Sequence, residues 1–239
     1  MGFLKNFLQK TREKFKRDGS FREAFTTWRV SNTYSKKNLK KFESLLKKGK
    51  KYYNLIKFRE NYSYSLLHQA IHDRDREAID IIVSQSYVNE IIDDSNNDLS
   101  ISPLQMSCVI DDLDLFQLIE QKGANIHLTI PQQNLHLLHI SSHNGSLRIL
   151  DYIFKKYFGK NIDVLSAENW TPLHYACYQN KMDIASYIID CYPNLYVRNK
   201  QQMTPLDLAI LQDNFELFKA LYEFHYDKSK FSNMEVYTK

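Results

Sequence analysis

The sequence predicts an all-α protein, a solenoid of short helix pairs stacked side by side and joined by turns. Three observations carry that prediction. A leucine-centred pattern recurs at Leu67, Leu104, Leu138, Leu173 and Leu206, at intervals of 37, 34, 35 and 33 residues. Fifteen residues after each leucine stands another apolar residue: Ile82, Ile119, Ile153, Ile188 and Leu221. In three copies the leucine follows a hydroxyl residue and a proline: Ser102-Pro103, Thr171-Pro172 and Thr204-Pro205. A hydroxyl oxygen accepts from an unpaired backbone N–H at a helix start, and proline fits the first helical position, where its missing N–H costs nothing.

The clearest copy runs from Asn169 to Ile189. Thr171 reads as the cap and Pro172 as the first helical residue. Leu173 and Ala176 share a face, and Ala176 is small enough for close helix–helix approach. Asn180 tolerates the left-handed conformation that ends a short helix. Ile184, Ile188 and Ile189 give the second helix its apolar face. Helices near ten residues do not persist alone in water, so each pair needs neighbours.

Around the five leucines the chain reads Y-S-L-L-H-Q-A, I-S-P-L-Q-M-S, L-H-L-L-H-I-S, W-T-P-L-H-Y-A and M-T-P-L-D-L-A. These units resemble the ankyrin repeat, whose signature is T-P-L-H-x-A at a period near 33 residues. The first and third copies replace proline with Leu66 and Leu137 but keep the interval. Arg76 stands where Leu113, Leu147, Met182 and Phe215 stand in the other copies, a departure with no evident reason in the sequence. The resemblance implies an ankyrin-repeat solenoid of helix–turn–helix units with short hairpin or turn connections. It also implies that the motif histidines His68, His139 and His174 order backbone between neighbouring repeats. Partners of such proteins bind the hairpin tips and the inner first-helix surface.

Four segments are expected. Residues 1–19 form a basic amphipathic segment, 20–60 a degenerate Lys-rich capping repeat, 61–226 the repeat domain, and 227–239 a polar tail. Charge divides along the same line. Residues 1–60 hold 18 Lys+Arg against 5 Asp+Glu, a net +13, and the remainder carries a net −9. Phe3, Leu4, Phe7 and Leu8 share one helical face, bordered by Lys5, Lys10 and Arg12. That pattern suits either docking on the first repeat or an anionic membrane surface through residues 1–17. Gly2 invites N-myristoylation, but Asn6 replaces the hydroxyl residue the motif wants.

Composition narrows the remaining classes. The three cysteines, Cys108, Cys177 and Cys191, show no paired spacing, which argues for apolar filling in a reducing compartment. No apolar run reaches the length of a membrane span. The expected location is the cytoplasm, with peripheral membrane attachment through the N-terminus as the alternative. No phosphate-binding loop, nucleophile elbow or metalloprotease helix is present, so no enzyme and no cofactor are expected. No nucleic-acid-binding signature accompanies the lysines, so nucleic acid is not an expected partner. His136, His139 and His143 have metal-like spacing, and Asp94, Asn96 and Asp98 alternate as in a calcium loop. The first set includes a motif histidine; the second lacks the loop's glycine and closing glutamate, so no metal is expected.

Two rows mark the expected contact surface. Three residues before the motif leucines lie Tyr64, Ile101, Leu135, Trp170 and Met203. Five residues after them lie His72, Val109, His143, Tyr178 and Leu211. Neither position belongs to the repeat core, so a mostly apolar and aromatic pair of rows reads as an interface. The expected function is a monomeric, non-enzymatic scaffold or adaptor that holds a protein partner along these rows; the alternative is a membrane-associated adaptor or secreted effector held on anionic lipid by the basic N-terminal helix.

Overall fold

The computed structural model describes residues 65–224, apart from Tyr87 and Lys160. The basic segment, the capping repeat, Tyr64 and the polar tail therefore lie outside the described residues. The chain divides into two compact units, Met1–Ile91 and Ile92–Lys239. In the first, α1 (Leu66–His72) and α2 (Arg76–Val83) form one helix pair, followed by a 3₁₀ turn at Val88–Glu90. The second unit holds α3 (Pro103–Val109), α4 (Leu113–Gln121), α5 (Leu137–Asn144), α6 (Leu147–Ile153), α7 (Pro172–Tyr178), α8 (Met182–Asp190) and α9 (Pro205–Leu211). Residues 215–224 form a further helix, α10. Among the described residues there is no strand, only an isolated antiparallel bridge between Ile130 and Leu135.

Each first helix starts where the hydroxyl–proline signal places it. Ser65, Ser102, Thr171 and Thr204 accept a backbone N–H through their side chains at the starts of α1, α3, α7 and α9. Copy three has His136 at the cap and no side-chain cap bond. The turn between the paired helices needs one left-handed residue, and the same register supplies it every time. Arg74, Asp111, Asn180 and Asp213 have φ between 53° and 57°, and Gly145 takes 85°. Asn180 was legible because asparagine tolerates this region; Arg74 was not, since it is held there by the turn rather than by its own preference.

The first helices pack in a row, α3 on α5, α5 on α7 and α7 on α9, and α2, α4, α6 and α8 each back their own first helix. Leu67, Leu104, Leu138 and Leu173 are buried, as are all five second-helix residues from Ile82 to Leu221. Leu206, in the last copy, is only half-buried. Arg76 is explained by its place: it is the first residue of α2, beside the Asp75 cap, and is exposed. Its counterparts Leu113, Leu147 and Met182 are half-buried and Phe215 is exposed, so this register never demanded an apolar side chain.

Uneven intervals are absorbed in the second-helix exits. In copy three the extra residues enter a π-turn at Phe154–Phe158, closed by Gly159 at φ 59°. Tyr152 and Lys156 both bond the largely buried Glu120 carboxylate there, at 2.6 and 2.9 Å. The 37-residue interval divides about Asp93: it lies 26 residues after Leu67 and 11 before Leu104, where Asp163 of copy three lies 25 after Leu138 and 10 before Leu173. Asp93 Oδ1 accepts the Asn125 N–H at 2.9 Å, just as Asp163 Oδ2 accepts that of Asn194 at 2.9 Å, so the two carboxylates tie successive tips in the same way. Asn97 then closes the hairpin, its amide bonding the backbone of Ile101.

Ser142 stands on α5 in a register filled by Cys108 and Cys177 in the flanking copies. It is fully buried and its hydroxyl has no hydrogen-bond partner. An unpaired buried hydroxyl carries an uncompensated desolvation cost of about 1–3 kcal/mol. Ser142→Ala is therefore expected to raise stability by about 1 kcal/mol. In urea denaturation this appears as a higher midpoint at unchanged slope.

Candidate partner-binding groove

The site begins with how the hairpin tips are tied down. His174 Nδ1 accepts the Thr171 backbone N–H at 3.1 Å, so the proton sits on Nε2, which donates to the Met203 carbonyl of the next hairpin at 3.2 Å. His139 repeats the arrangement, accepting from His136 N–H and donating to the Val164 carbonyl, both at 3.0 Å. Gln105 does the same with an amide: Oε1 accepts the Ser102 N–H at 2.8 Å and Nε2 donates to the Leu128 carbonyl at 3.0 Å. Asp207, in the last copy, keeps only the accepting half, taking the Thr204 N–H and hydroxyl. Successive tips are also joined directly. The Ala167 N–H donates to Gln133 O at 2.8 Å and the Lys200 N–H to Glu168 O at 3.1 Å.

Between these tips and the ends of α3, α5 and α7 lies a concave groove of about 640 Å³. Ile101, Val109, Leu135, His143, Trp170 and Tyr178 from the two expected rows line it together. Val109, His143 and Tyr178 come from the ends of three successive first helices, one helix apart. Leu211 and Met203 lie outside this lining, His72 belongs to the other unit, and Tyr64 is outside the described residues.

The two rows are not equally free. His72, Val109, His143, Tyr178 and Leu211 are all exposed, with Val109 and Tyr178 each at 44%. Leu135, Trp170 and Met203 are half-buried, and Ile101 is only 6% exposed. The premise that both registers stand clear of the core is corrected for the first row. Ile101, though among the residues that line the groove, is nearly sealed.

Aromatic rings organise the groove wall. Trp170 lies 5.0 Å from Tyr175 and 5.3 Å from Tyr178, the second edge-on at 80°. Tyr175 also meets His139 at 5.5 Å and His143 at 6.0 Å. Such contacts hold large amphipathic side chains in place before a partner arrives. Tyr175 and Ile140 line the groove too, outside the two expected rows. Both occupy the free x position of T-P-L-H-x-A, two residues after the motif leucine, where the copies read Gln69, Met106, Ile140, Tyr175 and Leu208.

The electrostatics are quiet. Burial, with the nearby Glu168 carboxylate, raises the Tyr175 phenol despite a bond from Ser166, which keeps it neutral. Burial and Lys181 lower His143. Burial drives His139 and His174 down to about 4, against which their carbonyl bonds pull upward. Cys108 is buried and raised to about 12, and burial raises Cys177 further, so neither thiol is a nucleophile at neutral pH. Among the described residues no three His, Cys, Asp or Glu side chains gather as a metal site. No helix among them is long and apolar enough to cross a membrane.

Stacked helix pairs with bridged hairpin tips define a helical repeat scaffold. Residues 137–232 match the family model described as ankyrin repeats, three copies, and this part of the chain consists of ankyrin repeats. The copies around Leu67 and Leu104 precede the matched stretch yet fold into the same helix pair. The chain is similar to mouse protein phosphatase 1 regulatory subunit 27, 33% identical over 94 residues. That alignment spans 38% of this chain and 60% of the mouse protein.

The bridging histidines make stability depend on pH. Their native pKa values lie below the unfolded value near 6.5, so between roughly pH 6.5 and 4 the unfolded chain binds more protons. Stability is full above that window and falls on acidification through it, by on the order of 1–2 kcal/mol per histidine at pH 5. Gln105 shows that an amide makes both bonds. The double variant His139→Gln, His174→Gln should therefore fold normally and flatten the loss of melting temperature between pH 7 and 5.

Proposed function

We propose that this chain is a non-enzymatic scaffold that captures an extended segment of a protein partner in the groove. The observation that carries the reading is the convergence of Val109, His143 and Tyr178, exposed on three adjacent helices, against the Trp170–Tyr175 wall. An apolar cleft edged by Gln133, Asn144, Glu168 and Gln201 suits a segment that buries one or two large side chains and bonds its backbone to the rim. The mouse relative is named as a regulatory subunit, which favours a role in which this chain positions another protein rather than transforms a substrate.

The test is capture of partner from lysate by wild type and by Trp170→Ala with Tyr178→Ala. The double variant is expected to lose capture at least about tenfold while keeping a cooperative melt. Tyr196→Ala, at an exposed position outside the groove, serves as the control and should capture as wild type does. Equal capture by the double variant sinks the groove as the site.

A second reading rests on the sequence pattern of Phe3, Leu4, Lys5, Phe7, Leu8, Lys10 and Arg12. In it the N-terminus holds the scaffold on anionic lipid. Sedimentation with phosphatidylserine vesicles, with and without residues 1–17, separates the two: salt-sensitive binding that vanishes on truncation supports attachment, and no binding removes it.

A further inference from the structure

The geometry points to a methylated lysine as the partner side chain that seats in the groove. Its quaternary ammonium lies against the rings of Trp170, Tyr175 and Tyr178, on the side of the Glu168 carboxylate. This rests on the groove being the binding site, and it names the chemistry of what enters.

Ring geometry supplies the first argument. Trp170 meets Tyr178 at 5.3 Å and 80°, and Tyr175 at 5.0 Å and 46°. Tyr175 in turn meets His143 at 6.0 Å and 68°. Four rings in different planes thus bound one stretch of the cleft, and the two nearly perpendicular ones make a corner. An aromatic face carries the negative part of the ring quadrupole, and it attracts a cation within about 6 Å of the centroid. The attraction grows when the cation has shed its water, as it does in a concave site.

Charge agrees with the rings. Among the described residues that line the groove, Glu168 alone carries a formal charge, and it acts on the Tyr175 phenol. Lys200 bonds Glu168 Oε1 at 3.2 Å and Lys181 acts on His143, but neither lysine lines the cleft. The lining is complementary to a cation rather than to an anion.

Hydrogen bonding then selects which cation. Ser166 Oγ already accepts the Trp170 N–H at 3.1 Å, and Asn144 Nδ2 donates to the Ile140 carbonyl at 2.8 Å. Both His139 nitrogens are spent on backbone. A primary ammonium brings three donors and a guanidinium five, and the cleft has few acceptors left for them. A trimethylammonium brings no donor, and its methyl groups meet the ring faces directly.

An NMR titration of the ¹⁵N-labelled full chain, followed at the Trp170 indole N–H, tests this. The probes are glycine-flanked peptides with one central residue: Nε-trimethyllysine, lysine, arginine, or the neutral carbon isostere of trimethyllysine. The trimethyllysine peptide should bind with a dissociation constant on the order of 1 mM, about tenfold tighter than each of the others. Tyr178→Ala should remove most of that preference. Glu168→Gln, at a half-exposed position, should weaken the trimethyllysine peptide about threefold with an unchanged melt. Tyr196→Ala should leave binding as in wild type. Equal binding of the neutral isostere overturns the inference, since charge would then play no part. Tighter binding of the lysine or arginine peptide overturns it too, as does an indole signal that none of the peptides moves. Partner capture that still depends on Trp170 and Tyr178 would in those cases keep the groove and discard only the cation. Capture indifferent to both residues would remove the groove as well.

Discussion

In three successive repeats one side chain couples the helix start to the next hairpin. His139, His174 and Gln105 each accept a backbone N–H from their own cap residue and donate to a carbonyl of the following tip. The chemistry needs one group with an acceptor and a donor on opposite sides at fixed separation. Neutral imidazole and a primary amide both meet that need; a carboxylate meets half of it. Asp207 appears in the last copy, where only the accepting half is used toward its own cap. Because the bridging groups are buried, the tips are fixed relative to the helices beneath them, and buried backbone groups at the helix starts are satisfied.

The groove is a consequence of that coupling. Tips bonded in series, Gln133 to Ala167 and Glu168 to Lys200, place Leu135 and Trp170 above the ends of α5 and α7. The exposed row on the first helices then faces a wall that does not need to be ordered on binding. Preorganisation of this sort lowers the entropic cost of association. Quiet electrostatics agree with it: the histidines and Tyr175 stay neutral, and recognition falls to shape, apolar contact and rim hydrogen bonds.

Much of this was legible in the residues because it is local. Thr171, Pro172 and the hydroxyl caps mark helix starts through bonds made within one turn. Ile82, Ile119, Ile153, Ile188 and Leu221 are buried because helical period alone sets their face. Other features were misjudged for reasons that are not local. Ile101 shares its register with Trp170 but is smaller and nearly sealed. Arg76 seemed anomalous only while its position was read as part of the core. Tyr175 was passed over because the motif leaves its position free, and freedom in a motif is where a particular protein puts its own contacts.

The residues by themselves determined the helix pairs, their caps, their repeat interval and which side of each helix is apolar. These follow from backbone hydrogen bonding and helical period, which act over a few residues. Only the tertiary structure decided which apolar side chains meet a neighbour and which meet water. Cys177 and Ile210 hold the same register, yet one is sealed and the other exposed. Among the described residues α9 packs over Cys177 and no helix pair packs over Ile210, and burial belongs to the pair of surfaces, not to the residue.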